Sequence, residues 1–137
     1  QNSLAGFVAL TGNTLNLADA YHLPADVPYQ LDQSFDQSIQ YRTRSVLVLP
    51  MQNQQGETIG VLQLINRKVA PDVVITPENA LAMTQTFSEW EERIVRSLAS
   101  QAAISIERNH LQDSIENLFE GFVRASVQII EARDPCT

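Results

Sequence analysis

Arg42 and Arg44 are the side chains whose type and spacing speak most directly of chemistry. They flank Thr43, next to Tyr41, at the head of the run "RTRSVLVLPMQ". Residues two apart on a strand point the same way, so two guanidiniums aimed into a cavity can hold an anion bidentately. The competing reading pairs them with Asp19, Asp32 or Asp36 and so pins the preceding loop. Elsewhere the residue types argue against catalysis. His22 and His110 are far apart, and neither has a metal ligand at helical or strand spacing. His22 reads as a solvated loop side chain and His110 as a solvated helix residue. Glu89, Glu91 and Glu92 cluster where a helix begins, and the macrodipole stabilises negative charge there, so their role is structural. The single cysteine, Cys136, reads as an exposed thiol and excludes an internal disulfide, a Cys-rich zinc site and a two-thiol redox cycle. Nucleophile motifs and phosphate-cradling glycine loops are absent.

The chain that must position these residues has 137 residues, 44% hydrophobic and 18% charged, which suits one domain of ordinary size with a buried core. Its formal net charge is −7, from nine Lys and Arg against sixteen Asp and Glu. That balance excludes nucleic acid or an anionic membrane surface as the main partner, because both recruit a basic face. No apolar run approaches the ~20 residues that span a bilayer, and the opening "QNSLAGFVAL" lacks the basic region of a secretory signal. The expectation is a soluble, cytoplasmic protein.

The hydrophobic period changes along the chain, from strand-like in the first half to helical in the last third. "RTRSVLVLPMQ" and "ETIGVLQLINR", separated by "NQQG", predict an antiparallel hairpin with Gly56 at positive φ. Pro50 and Gly60 inside these runs suggest a strand end and a close backbone approach. "TLNLAD" predicts a short strand, and "SLAGFVAL" a short helix with Leu4, Phe7, Val8 and Leu10 on its apolar face. Tyr21 to Tyr41 reads as a loop with one helical turn around Asp32 to Ile39, of the kind that walls a pocket. "TPEN", with Thr76 as N-cap and Pro77 at the first helical position, predicts a helix of about ten residues. Ser88 followed by Glu91 is a capping box. It opens a helix with Ile94, Val95, Leu98, Ala102 and Ile106 on one face, and nothing stops that helix firmly before Asp134 and Pro135, so it runs on or breaks near Asn109 or Gly121. From Leu111 the spacing of Leu111, Ile115, Leu118, Phe122, Ala125 and Ile129 is a heptad seam suited to pairing with a second helix.

The motifs "SLAGFVALTGNTLNLADAY", "YRTRSVLVLPMQNQQGETIGVLQLINR" and "FSEWEERIVRSLASQAAISIERNHL", in that order, resemble the GAF domain, a small-molecule sensor module. The resemblance covers roughly residues 3–111. It implies an α+β fold with an antiparallel sheet, about three strands of it present here, packed with helices and followed by a long C-terminal helix. The family's Asn-Lys-Phe-Asp-Glu signature carries across at Asn66, Phe87, Glu91 and Glu92, with Glu91 in place of Asp and Arg67 in place of Lys. In the family these residues brace the fold near the pocket. A full domain of this kind begins with a helix and two further strands, so 1–110 reads as a GAF domain lacking them. The hairpin's free edge must then be covered by something else.

"LFEGFVRASVQIIEARDPCT" resembles the first helix and turn of an HD-GYP type phosphohydrolase domain, so 111–137 reads as a connector helix and the first residues of such an output domain, without its metal-binding histidines. Together the resemblances imply a bacterial signalling protein whose sensor passes a ligand-dependent change through a long helix. This chain is expected to be no enzyme, while its parent is a metal-dependent HD-type phosphohydrolase or phosphodiesterase. No cofactor is expected. The ligand implied is a small anionic or heteroaromatic molecule, a cyclic nucleotide among the candidates, touching Asp19, Tyr21, Tyr41, Arg42, Thr43 and Ser45. The alternative is a ligand-free scaffold that only pairs two chains through the helix bearing Leu111, Ile115, Leu118, Phe122 and Ile129. Methionine sulfoxide reduction and covalent tetrapyrrole attachment, known in the family, need a pocket cysteine that Cys136 does not supply.

Overall fold

The computed structural model describes residues 3–109 and 123–129. In chain order the elements are α1 (Leu4–Thr11), β1 (Leu15–Leu17), α2 (Ser34–Ile39), β2 (Val46–Gln52), β3 (Thr58–Ile65), β4 (Arg67–Lys68), α3 (Ala80–Met83), β5 (Thr84–Gln85), α4 (Glu89–Asn109) and β6 (Arg124–Ile129). The architecture is α+β, with an antiparallel sheet in the order β1-β2-β3-β6 and a separate two-stranded ribbon of β4 and β5.

The β2-β3 hairpin turns where the sequence predicts. Gly56 has φ +81°, and the Asn53 side-chain oxygen accepts from the amides of Gln55 and Glu57 at 3.0 Å. Both faces of the hairpin are covered, which is why β2 reads as an unbroken apolar run. Leu47, Leu49, Met51, Leu62 and Leu64 pack with Phe87 and with Val95, Ala99 and Ala103 of α4. Val46, Val48 and Val61 pack on the other side with Leu4, Ala5 and Val8 of α1, Leu15 of β1 and Ala20. The register skips Ile59 between the pairs Met51↔Gly60 and Gln52↔Thr58, and this bulge lets Ile59 join the same core as Leu62 and Leu64. Pro50 lies inside β2, beyond the stretch Val46–Val48 that β1 covers, so the strand has an open edge there and tolerates the missing amide.

α1 is capped at both ends. The Ser3 hydroxyl accepts from the Gly6 amide at 2.9 Å, and Gly12 ends the helix at φ +74°. Its buried residues are Leu4, Ala5 and Val8, whereas Leu10 is 75% exposed and belongs to the outer face. The capping box of α4 is reciprocal: the Ser88 amide donates to Glu91 Oε1 at 2.9 Å and the Glu91 amide to Ser88 Oγ at 3.0 Å. Among the described residues of α4, Val95, Ala99 and Ala103 are buried in this core and Ala102 packs against it, so Val95 and Ala102 of the predicted face meet it while Ile94 is 41% exposed. Two alanines at the contact bring the helix close to β2.

Three expectations change. The helix after "TPEN" is only Ala80–Met83. Thr76 still accepts from the Asn79 amide, at 3.3 Å, but this closes a turn before the helix. The long helix is described to Asn109, and residues 124–129 form strand β6 instead of its continuation, so Ile129 belongs to a strand. β6 pairs with β3 from Gly60↔Ile129 to Ile65↔Arg124 and covers the edge that the hairpin leaves open, making a fourth strand. Ala125 and Ile129, four apart, share a face in either a helix or a strand, so the heptad spacing could not separate the two. Val127 between them fits the strand period. Leu111, Ile115, Leu118, Phe122, His110 and Cys136 lie outside the described residues.

Candidate functional site

Two acids tie the segment from Leu17 to Ser45 to itself. Asp36, on α2, is 4% exposed. Its carboxylate accepts from the Thr43 amide at 2.7 Å, the Thr43 hydroxyl at 2.9 Å and the Tyr21 hydroxyl at 2.7 Å. A buried carboxylate is stable when donors fill its lone pairs, and three do here. Asp19 receives both terminal nitrogens of Arg42, at 2.8 and 2.9 Å, in a fork-on-fork pair. The Arg42 guanidinium also donates to the Thr43 carbonyl at 2.6 Å and lies 3.8 Å from the Tyr21 ring centroid. The loop is thus pinned from both ends of Thr43.

A third fastening is Asn66, which follows β3 and is 1% exposed. It adopts φ +61°, a conformation Asn tolerates better than most residues. Its side-chain oxygen accepts from the Arg44 amide at 2.6 Å, and its amide nitrogen donates to the Arg42 carbonyl and the Tyr41 hydroxyl, both at 2.9 Å. Ser45 completes the junction, accepting the Arg67 amide on its hydroxyl at 3.0 Å and the Asn66 amide on its carbonyl at 2.7 Å.

The signature residues therefore act as braces. Arg67 Nε donates to Glu91 Oε2 at 2.5 Å, tying β4 to α4, and Phe87 is 4% exposed in the core. Glu92 accepts from Asn16 of β1 at 3.1 Å and pairs with Arg96 one turn on. Arg44, the second member of the arginine pair, turns to the carbonyls of Leu81 and Thr84 at 3.1 Å and anchors the segment between β4 and β5. The pair thus diverges: Arg42 meets Asp19, and Arg44 meets the C-terminal end of α3. Asp32 accepts from the Ser34 amide at 3.0 Å at the start of α2. All six residues proposed for ligand contact, Asp19, Tyr21, Tyr41, Arg42, Thr43 and Ser45, lie in this one junction and bond to protein partners. Asp36 accepts three of the junction's hydrogen bonds, as many as Arg42 donates, and sequence reasoning placed Asp36 only as one of three partners for the arginines.

A half-open pocket lies beside the junction, within the loop. A cavity of about 280 Å³ is lined by Ala20, Tyr21, Leu23, Pro24, Ala25, Val27, Tyr29, Gln30, Leu31 and Gln33. Phe7 of α1 holds Tyr29 with ring centroids 4.8 Å apart. Tyr21 is thus the one residue shared by the cavity wall and the Asp36 latch. Arg124 of β6 lies 4.6 Å from the Phe35 ring of α2 and 5.5 Å from the Tyr41 ring. Among the described residues no group of three His, Cys, Asp or Glu could hold a metal ion, and no helix is long and apolar enough to cross a membrane.

Titration follows from these contacts. Burial raises the Asp19 carboxyl, but hydrogen bonds from Arg42 and the Tyr21 amide outweigh it and hold the group below its ordinary 3.8. Burial likewise raises Glu91, and the Ser88 amide and Arg67 together bring it below 4.5. A carboxyl with a depressed folded pKa contributes stability above its unfolded value and loses it as pH falls through the folded one. The urea midpoint is therefore expected to fall as pH drops below about 4.5. Asp19→Asn should lower the neutral plateau and flatten part of that fall, and a midpoint independent of pH in both proteins would contradict the pairings. Burial, then the bond to Asp36, pushes the Tyr21 hydroxyl up to about 12. Its contribution is complete below the ordinary 10.0 and lost as pH rises toward 12, which ultraviolet titration of tyrosinate reads directly.

Comparison with known proteins gives this arrangement its setting. A dual 3',5'-cyclic-AMP and -GMP phosphodiesterase 11A of Takifugu rubripes is 29% identical over 108 residues, covering 79% of this chain and 10% of that protein. A dual 3',5'-cyclic-AMP and -GMP phosphodiesterase 11 of Drosophila melanogaster is 36% identical over 110 residues, covering 80% of this chain and 6% of that protein. The chain thus spans a tenth or less of the length of these curated relatives. The GAF domain model matches residues 1–106, and with the braced signature and the α+β sheet this makes the chain a member of the GAF family.

Proposed function

We propose that this chain is a regulatory module that senses a small molecule in the cavity under the Ala20–Gln33 loop. The observation that carries the reading is the shared position of Tyr21, which lines the cavity and donates to Asp36, so a ligand touching the wall acts directly on the latch that holds α2 to Thr43 ahead of β2. A ligand with different affinity for the latched and unlatched loop shifts their populations and repositions α2 against Arg124 of β6. Cyclic AMP and cyclic GMP are the first ligands to test, because the relatives' names pair them with this family. Calorimetric titration should give saturable one-site binding by at least one of them. Arg42→Ala, which frees Asp19 and loosens the loop, should weaken it about tenfold or more. No binding by either nucleotide, or an unchanged affinity in the variant, defeats the assignment.

The parent is read as a cytoplasmic bacterial signalling protein in which this module, itself without catalytic activity, precedes an HD-type phosphohydrolase or phosphodiesterase output. The support is the run "IEARDPCT" at 130–137. The chain is read as a homodimer through the helix bearing Leu111, Ile115, Leu118 and Phe122. A second reading, a scaffold that only pairs two chains, is favoured by the internal partners of all six proposed contact residues. Light scattering separates the oligomer claim: Leu118→Asp should convert a dimer into a monomer, and a wild-type monomer removes it.

A further inference from the structure

We infer that the outward face of α2, with Arg124 beside it, is an interface for a second copy of this chain, in which two α2 helices lie antiparallel and the Asp32 of each meets the partner's Arg124. The surface uses none of the residues of the C-terminal helix pairing, and it stands whether or not the sensor reading does.

α2 is amphipathic in the reverse of the usual sense. Its one buried residue is an acid, Asp36, while its two large apolar side chains, Phe35 and Ile39, are 51% and 47% exposed. They are four residues apart, so they stand one above the other on one face of the helix. Hydrogen bonds to the Asp36 carboxylate fasten the helix, and they leave the outward apolar stripe without a role in that attachment. Beside the stripe the Arg124 guanidinium lies 4.6 Å from the Phe35 ring and 5.5 Å from the Tyr41 ring, and the two rings hold it in place. Arg124 is exposed and, among the described residues, has no carboxylate at ion-pair distance. The nearby arginines are engaged, Arg42 by Asp19 and Arg44 by the carbonyls of Leu81 and Thr84. A positioned guanidinium with open donors, in a chain of net charge −7, is suited to a carboxylate that a neighbour brings.

The chain itself supplies that carboxylate. Asp32 is exposed just ahead of α2, and its Oδ1 accepts from the Ser34 amide, which fixes the group at the helix start. The surface thus runs from an acid before the helix, over Phe35 and Ile39, to a cation held between Phe35 and Tyr41, and such an arrangement complements itself under a twofold axis. With Phe35 of one copy against Ile39 of the other, antiparallel helices put Asp32 at the level of the partner's Tyr41, beside the partner's Arg124. Two identical ion pairs then flank an apolar centre that excludes water. A contact between six-residue helices is at the small end of protein interfaces, so the dimer is transient, with a dissociation constant of about 10–100 µM.

The test is sedimentation velocity in a Leu118→Asp background, which removes the helix pairing of the other reading. This protein should still self-associate, with a dissociation constant of about 10–100 µM. Asp32→Arg or Arg124→Asp added to it should weaken association about tenfold or more, because each sets two like-charge contacts in the dimer. An equimolar mixture of these two variants restores both ion pairs and should associate within about threefold of the background protein. Asp32 is exposed and outside every helix and strand, so its variant reports on the surface even where Arg124→Asp disturbs β6. Phe35→Ser should weaken association as well. A background protein that stays monomeric at about 500 µM overturns the inference and leaves the sensor and helix readings standing. Association indifferent to Asp32→Arg, or a mixture of variants with native circular dichroism that associates no better than either alone, overturns it too.

Discussion

Replacing Asn66 by alanine is expected to cost about 3–5 kcal/mol of folding stability and to lower the melting temperature by about 10–20 °C. The side chain is 1% exposed and satisfies the Arg44 amide, the Arg42 carbonyl and the Tyr41 hydroxyl at once. Alanine leaves the two backbone groups with no partner, at about 1–3 kcal/mol each. It also places a Cβ residue without a compensating side chain at φ +61°, which costs about 1 kcal/mol more. Asn66→Gly removes the conformational part alone, so it should recover about 0.5–1 kcal/mol relative to alanine and no more. Urea unfolding of the three proteins checks both numbers. A loss below about 1 kcal/mol for the alanine variant would mean that the junction between β2 and β3 is held by other contacts.

Asp36→Ala is the second large effect, and it differs in kind. Three donors lose their acceptor: the Thr43 amide, the Thr43 hydroxyl and the Tyr21 hydroxyl. The expected loss is about 2–4 kcal/mol, because Tyr21 is half-buried and its hydroxyl can find water once released. Neither sheet core contains Asp36, so the two packed layers should survive. Amide exchange should therefore rise in Tyr21 and across Ser34–Thr43 while Val46–Gln52 keeps its protection. Asp36→Asn keeps an acceptor, and should retain more than half of the lost stability. Uniform loss of protection through β2 would show that the loop is part of the core's cooperative unit, contrary to a latch that opens by itself.

The parts legible in the sequence are those where one local rule points one way. The β2-β3 hairpin has its apolar runs, its "NQQG" turn and Gly56 in agreement, and the α4 start has both halves of a capping box. The parts that were not legible depend on choices made in three dimensions. Arg42 and Arg44 alternate as strand residues should, yet only the fold decides that one meets Asp19 and the other the end of α3. Asp36 looked like any loop acid until its burial against Thr43 was visible. β6 escaped because its four-residue apolar spacing serves a helix and a strand equally, and the deciding factor is the open edge of β3. α3 is short because Thr76 and Asn79 spend their side chains on a turn, with Asn79 Nδ2 donating to the Val74 carbonyl at 2.9 Å.

The most direct test of the account is an amide nuclear magnetic resonance titration of the chain with cyclic GMP. The predicted result is that saturable shifts concentrate in Ala20–Gln33 and extend through α2 to Thr43, the path from the cavity wall through Tyr21 to the Asp36 latch. A spectrum unchanged at saturating nucleotide, or shifts confined to α4 and absent from the loop, would contradict it.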